Sequence, residues 1–135
     1  MAEKILNALG CPEETELSVT ITGDRAIRRL NRDYLGKDRP TNVISFSLQE
    51  GEFGGISGHL LGDVVISADT AAREAEQGGV SSYERLLFLL LHGILHLTGY
   101  DHERSGEAEA KRMARKELQL WKMLQQEGLT ALPGC

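Results

Sequence analysis

The sequence predicts an α/β fold of the α+β-like kind, a small mixed β-sheet packed by about five helices with one buried helix through its centre. Three observations predict it. Strand-like runs occur at residues 16–22, 43–48 and 60–67. Helical periodicity fills the intervals between and after them. From Leu86 to Leu97 the chain is apolar on nearly every side of a helix, and a helix of that kind is buried. A length of 135 residues suits one domain around one core.

Residues 2–9 read as a short first helix closed by Gly10. In the run from Glu16 to Thr22, Leu17, Val19 and Ile21 alternate onto one face, which predicts a half-buried strand. Asp24 is placed to cap a second helix to about Tyr34, with Ile27, Leu30 and Tyr34 along its core side and Gly36 at its end. Pro40 blocks further helix, and Val43 to Leu48 reads as a strand. The glycine-rich stretch 49–58 reads as a loop. Leu60 to Ser67 is apolar and β-branched, the pattern of a central strand. Asp69 is placed to cap the next helix, which Gly78 and Gly79 end. Ser81 and Glu84 have capping-box spacing and start the buried helix, which runs to about Thr98 before Gly99. Ser105 opens a long last helix to about Leu124, with Met113, Leu118, Trp121 and Leu124 as expected core contacts. Residues 126–135 read as a loose tail.

The composition excludes several classes. Apolar residues make up 41% and charged residues 26%, the balance of a globular chain rather than a disordered one. The longest apolar run has too few residues to cross a bilayer, which takes about 20. No apolar run follows Met1-Ala2-Glu3-Lys4, so no signal peptide is read and a cytoplasmic location is expected. Cys11 and Cys135 form no CxxC pair and are expected to be incidental thiols. A net charge of −5 argues against an indiscriminate grip on nucleic acid. The charge is uneven, however. Arg25, Arg28, Arg29, Arg32, Lys37 and Arg39 face only Asp24, Asp33 and Asp38 over residues 24–39, either as a local basic surface or as a solvated helix face.

Three of the four histidines, His92, His96 and His102, fall in the string HGILHLTGYDH. His92 and His96 are one helical turn apart, so their rings leave the same face. Gly99 can reverse the chain and bring His102 round as a third ligand. Unpaired imidazoles in a leucine-rich helix would carry a desolvation cost, which one shared transition-metal ion, zinc in the first instance, removes. Three neutral protein ligands leave a coordination position open, as in catalytic zinc sites. Three imidazoles accept zinc, nickel, copper or cobalt, and affinity alone does not choose among them. Asp101 either orients a ligand or satisfies its own turn. His59 stands alone and reads as a solvent-exposed or hydrogen-bonded residue. The spacing also matches the long zinc-protease pattern H-E-x-x-H-x-x-G-x-x-H except that Gly93 replaces the glutamate general base, which argues against a peptidase.

The strings HGILHLTGYDHE, LNRDYLGKDRPTNVISF and LGDVVISADTAAREAE closely resemble the bacterial YbeY family, over roughly residues 15–125. That resemblance implies a metal-dependent endoribonuclease of ribosomal RNA maturation, with a zinc-like ion on His92, His96 and His102. It further implies processing of the 3′ end of 16S ribosomal RNA and ribosome quality control. The partners it implies are the small ribosomal subunit, one of its proteins and a ribosome-assembly GTPase, with no membrane contact. Two departures stand out. Leu35 occupies the place of an arginine the family considers important for activity, and Ser47 that of a proline.

In a ribonuclease reading, Lys37 and Arg39 neutralise the phosphodiester as charge builds. Arg32 adds charge nearby, and Thr41 and Asn42 either donate hydrogen bonds to the substrate or serve the turn after Pro40. No general base is evident. Asp63 is one candidate, with ion-pairing or capping its stronger alternative. The rival from another class is a non-catalytic, metal-stapled ribosome-assembly factor, which Leu35 favours. A third reading is a hydrolase of a small phosphoester or amide.

Overall fold

The structure is a computed structural model that describes residues 2–11, 15–47, 60–98 and 106–130. The expected loop 49–58, His59, Gly99, Asp101, His102, Ser105 and Cys135 lie outside the described residues. The elements in chain order are α1 (Ala2–Ala8), β1 (Glu16–Thr22), α2 (Asp24–Leu35), β2 (Val43–Ser47), β3 (Leu60–Ser67), α3 (Ala68–Gly78), α4 (Ser82–Leu97) and α5 (Gly106–Gln126). The three strands form one mixed sheet in the order β1-β3-β2. β3 is central as expected, parallel to β1 and antiparallel to β2. No helix among the described residues is long and apolar enough to cross a membrane.

Alternation along β3 divides the core. Val64 and Ile66 join the main cluster with Leu89, Leu91, Ile94 and Leu95 of α4, while Val65 packs on the other face with Ile27 of α2 and Ile44 of β2. α4 is therefore the inner helix, with α1, α3 and α5 around it. Its start follows the expected cap: the Ser81 hydroxyl accepts the Glu84 N–H at 3.1 Å. Gly93 lets it lie flush on the sheet. A Cβ at Gly93 would stand 2.7 Å from Val64 Cγ1, and the Ser45 hydroxyl donates to the Gly93 carbonyl at 3.0 Å. At the start of β3, the register slips between Glu16 and Leu17, and Gly62 runs so close to β2 that a Cβ would overlap the Phe46 carbonyl oxygen.

Four expectations are corrected. Tyr34, expected on the core side of α2, is 69% exposed, and among the described residues only its edge-to-face contact with Phe46 ties it to the sheet. Val19 and Ile21 are 40% and 57% exposed, because β1 is one of the two edge strands of the described sheet and only its Leu17 reaches the main cluster. On α5, Leu118 is exposed and Leu120 is buried with Met113 and Leu124, since 113, 120 and 124 share a helical stripe that 118 leaves. The helix starts are capped differently from expectation. Ser67 caps α3, its hydroxyl accepting the Thr70 N–H at 3.2 Å. Asp69 instead accepts the Asp24 N–H of α2 at 3.0 Å.

Asp24 returns the favour to α3 rather than capping its own helix. Its carboxylate accepts from Ser67 Oγ and Thr70 Oγ1, each at 2.6 Å, and from Arg73 Nη2 at 2.7 Å. The hydroxyls of Ser67 and Thr70, with the Arg73 guanidinium, hold its carboxyl at about 2 instead of 3.8. A lowered carboxylate pKa means stability that is present above pH 4 and lost as pH falls toward 2. The group is partly solvated, so the contribution is about 1–2 kcal/mol. Chemical-denaturation curves should therefore show Asp24→Asn less stable than wild type at neutral pH, with the gap closing between pH 4 and 2. A gap that does not change with pH would refute this assignment.

Candidate metal centre

α4 presents Phe88, His92 and His96 on one side, and α5 runs antiparallel along it. Trp121 meets Phe88 edge to face at 5.3 Å between ring centroids, and one turn further along Glu117 meets His92. Glu117 Oε2 lies 2.6 Å from His92 Nδ1, a short contact between mostly buried groups. With Nδ1–H donated to the carboxylate, the lone pair of His92 sits on Nε2. That Nε2 lies 3.2 Å from Nε2 of His96, with the rings crossing at 75°. Two nitrogens bound to one zinc at 2.0–2.1 Å in tetrahedral geometry are separated by about 3.3 Å. The two ring nitrogens therefore already stand at the spacing of a shared ion, and the donor set suits one.

Glu117 is the site residue that sequence reasoning missed. The signal was general rather than local: a ligating histidine nearly always gives its other N–H to a carboxylate or carbonyl. Which of the acidic residues does so depends on how α5 docks. Gly93, at the place of the protease glutamate, faces Val64 and the sheet, so this helix presents no base from that position.

The basic and polar candidates lie elsewhere. α2 covers the opposite face of the sheet from α4, and its last turn brings Tyr34 onto Phe46 at 5.4 Å. Because Phe46 pairs with Asp63, and Leu97 of α4 packs at Gly62, α2 and α4 end at the same end of the sheet, on its opposite faces. Lys37 follows directly after the Gly36 cap and is exposed, with no side-chain partner among the described residues. The chain then turns back along α2. The buried Asn31 side chain donates to the Arg39 carbonyl at 2.8 Å, and Arg28 pairs with Asp38 at 2.9 Å, which holds Asp38 below the usual carboxylate range. Arg39 and the half-buried Thr41 therefore lie on this returning segment, and Arg32 is paired with Asp33 at 2.9 Å. Asn42 donates to both Glu74 carboxylate oxygens at 3.3 Å, and Glu74 also takes Arg85 at 3.0 Å. Arg85 lies about 10 Å along α4 from His92, so Asn42 is tied to the far end of that helix.

Asp63 shares the α2 face with Val65 and Phe46, opposite the histidines, and has no hydrogen-bond or ion partner among the described residues. Alternation along β3 thus turns it away from the rings, and among the described residues it joins no ion pair. Cys11 is half-buried and unbonded, and burial raises its thiol pKa.

The solution structure of TM1509 from Thermotoga maritima matches with a TM-score of 0.53 over 98% of this chain and 92% of that one, at 22% identity, a likeness of fold. The protein named Endoribonuclease YbeY of Geobacter metallireducens is 69% identical over 129 residues, 96% of this chain and 85% of that protein. Its namesake in Geobacter sulfurreducens is 66% identical over the same shares. The family model described as Endoribonuclease YbeY matches residues 1–125, a span that takes in the three strands, the paired histidines of α4 and the Glu117 beside His92, and this chain belongs to the YbeY family.

Proposed function

We propose that this chain is a metal-dependent endoribonuclease that cuts single-stranded RNA during 3′-end maturation of 16S ribosomal RNA and in ribosome quality control. The observation that carries this reading is the 3.2 Å approach of the His92 and His96 Nε2 atoms, with Glu117 fixing the first ring. The relatives' name supplies the substrate class. His92, His96 and His102 hold one zinc ion, which when bound supplies Lewis acidity toward a phosphoryl oxygen.

The chain's own residues do the rest. Glu117 keeps His92 in the tautomer whose Nε2 can ligate and stops the ring from turning. Lys37, with no side-chain partner among the described residues, stands after α2 at the end of the sheet where α4 also ends and neutralises charge on the phosphodiester, with Arg39 behind it. Arg32, Thr41 and Asn42 contact the strand on its way to that end. The work is placed in the cytoplasm, on the small ribosomal subunit, with one of its proteins and an assembly GTPase as partners.

The test is single-turnover cleavage of a structured ribosomal RNA fragment by protein stripped with a chelator and then reloaded with zinc. Cleavage should vanish on stripping and return on reloading. Cleavage indifferent to the chelator would end the metal-dependent reading. A second reading rests on Leu35, which is 51% exposed on the last turn of α2, where the family resemblance expects arginine. It makes the protein a non-catalytic assembly factor, and zinc-loaded protein that binds the fragment without ever cutting it would establish it.

A further inference from the structure

We infer that the outer face of α2 is a track for the phosphate backbone of single-stranded RNA, carried by Arg25, Arg28, Arg29 and Arg32 and ending on the exposed ring of Tyr34. The inference rests on the ribonuclease reading and adds to it the path by which the substrate arrives.

The helix spends its inner side on Ile27, Leu30 and Asn31, which leaves all four arginines exposed on the other. At spacings of three and four residues they are one another's neighbours, and like charges so placed weaken a helix. Asp38 and Asp33 compensate Arg28 and Arg32. The side chains of Arg25 and Arg29 have no hydrogen bond or ion pair among the described residues. An acidic protein of net charge −5 thus concentrates uncompensated cations on one helix, at a cost to that helix. An anion lying along the face would remove the cost.

Two features select nucleic acid. All four cations are arginines, whose planar fork takes phosphate in a bidentate manner. Arg25 and Arg29 are about 6 Å apart along the helix axis, comparable to neighbouring phosphates on one strand. The second feature is Tyr34, 69% exposed and held edge-on by Phe46, so that its ring is fixed while a face stays free. A fixed aromatic at the end of a basic groove is the arrangement on which an unpaired base stacks. The direction also fits, because α2 ends at the same end of the sheet as α4, which carries the histidine pair on the opposite face.

The experiment measures fluorescence anisotropy of labelled oligouridylate, in chelator so that nothing is cut, across a salt series. The proteins are wild type, Arg25→Gln/Arg29→Gln, Tyr34→Ala, and a control with the same charge change elsewhere, Lys116→Gln/Lys122→Gln. The arginine variant should bind about tenfold more weakly near 0.1 M salt, with its log–log salt slope reduced by about 1.4, two phosphate contacts on a single strand. Tyr34→Ala should lose a similar factor with the slope unchanged. The control should match wild type. Thermal melts should place the arginine variant at or above wild type, since like-charge repulsion is relieved, which a merely structural role would not give. Equal affinity and slope in wild type and the arginine variant would overturn the inference while leaving the ribonuclease reading standing. Absence of RNA binding by wild type would overturn both. Loss of polyglutamate binding in the arginine variant, with RNA binding intact, would assign the face to an acidic protein instead.

Discussion

His96→Ala is expected to abolish metal-dependent RNA cleavage while leaving the fold intact. The side chain is half-buried at the end of α4, and its Nε2 is one of two nitrogens that stand 3.2 Å apart. Removing it deletes one side of that pair. Lewis-acid stabilisation is worth several kcal/mol, so single-turnover cleavage of a ribosomal RNA fragment should fall at least about a hundredfold. Zinc content after dialysis should fall with it. Glu117→Ala belongs to the same experiment and should have a graded effect. It frees the His92 ring to turn and should cost about 10–100-fold in metal affinity or rate. Glu117→Gln, which can still accept the Nδ1–H, should recover part of that loss. Full cleavage in His96→Ala preparations would trace the activity to another nuclease, and equal zinc affinity in wild type and Glu117→Ala would remove Glu117 from the site.

Gly93→Glu is expected to unfold or severely destabilise the protein rather than give it a protease-like base. At this position the motif of zinc proteases has glutamate, so sequence alone makes the substitution look like a gain. The structure says otherwise. A Cβ on Gly93 would lie 2.7 Å from Cγ1 and 3.2 Å from Cγ2 of Val64, which is fully buried, and 3.1 Å from the Ser45 hydroxyl. Overpacking of this kind costs about 1–3 kcal/mol for alanine. A glutamate adds the desolvation of its carboxyl, taking the total beyond about 3 kcal/mol. For a domain of this size that lowers the melting temperature by about 10 °C or more. The check is a pair of thermal melts, with Gly93→Ala intermediate between wild type and Gly93→Glu. A glutamate variant that melts with wild type would mean that α4 does not lie against the sheet as described.

Much of the molecule was legible one segment at a time. The β-branched run from Leu60 to Ser67 marked the central strand, and the serine and glutamate at 81 and 84 marked the start of the inner helix. The paired histidines were legible for the same reason, since a spacing of four residues fixes two side chains on one helical face whatever surrounds the helix. What failed to show was which faces of separate segments meet. Val19 and Ile21 alternate like buried residues but stand exposed on an edge strand. Leu118 reads as core by composition, and the docking angle of α5 buries Leu120 in its place. Asp24 and Asp69 each precede or open a helix and look like ordinary caps. In the fold each serves the other's helix, because α2 and α3 begin side by side.

The sequence by itself determined the helices and strands, their order and the convergence of His92 with His96, because these follow from backbone period and from residues close in the chain. Tertiary structure alone decided that Glu117 orients the first ring, that Gly93 faces the sheet and that Asp63 lies on the opposite side from the histidines. Those three facts depend on which surfaces of separate elements pack together. Packing is settled by the fit of whole faces, which no short stretch of the chain encodes.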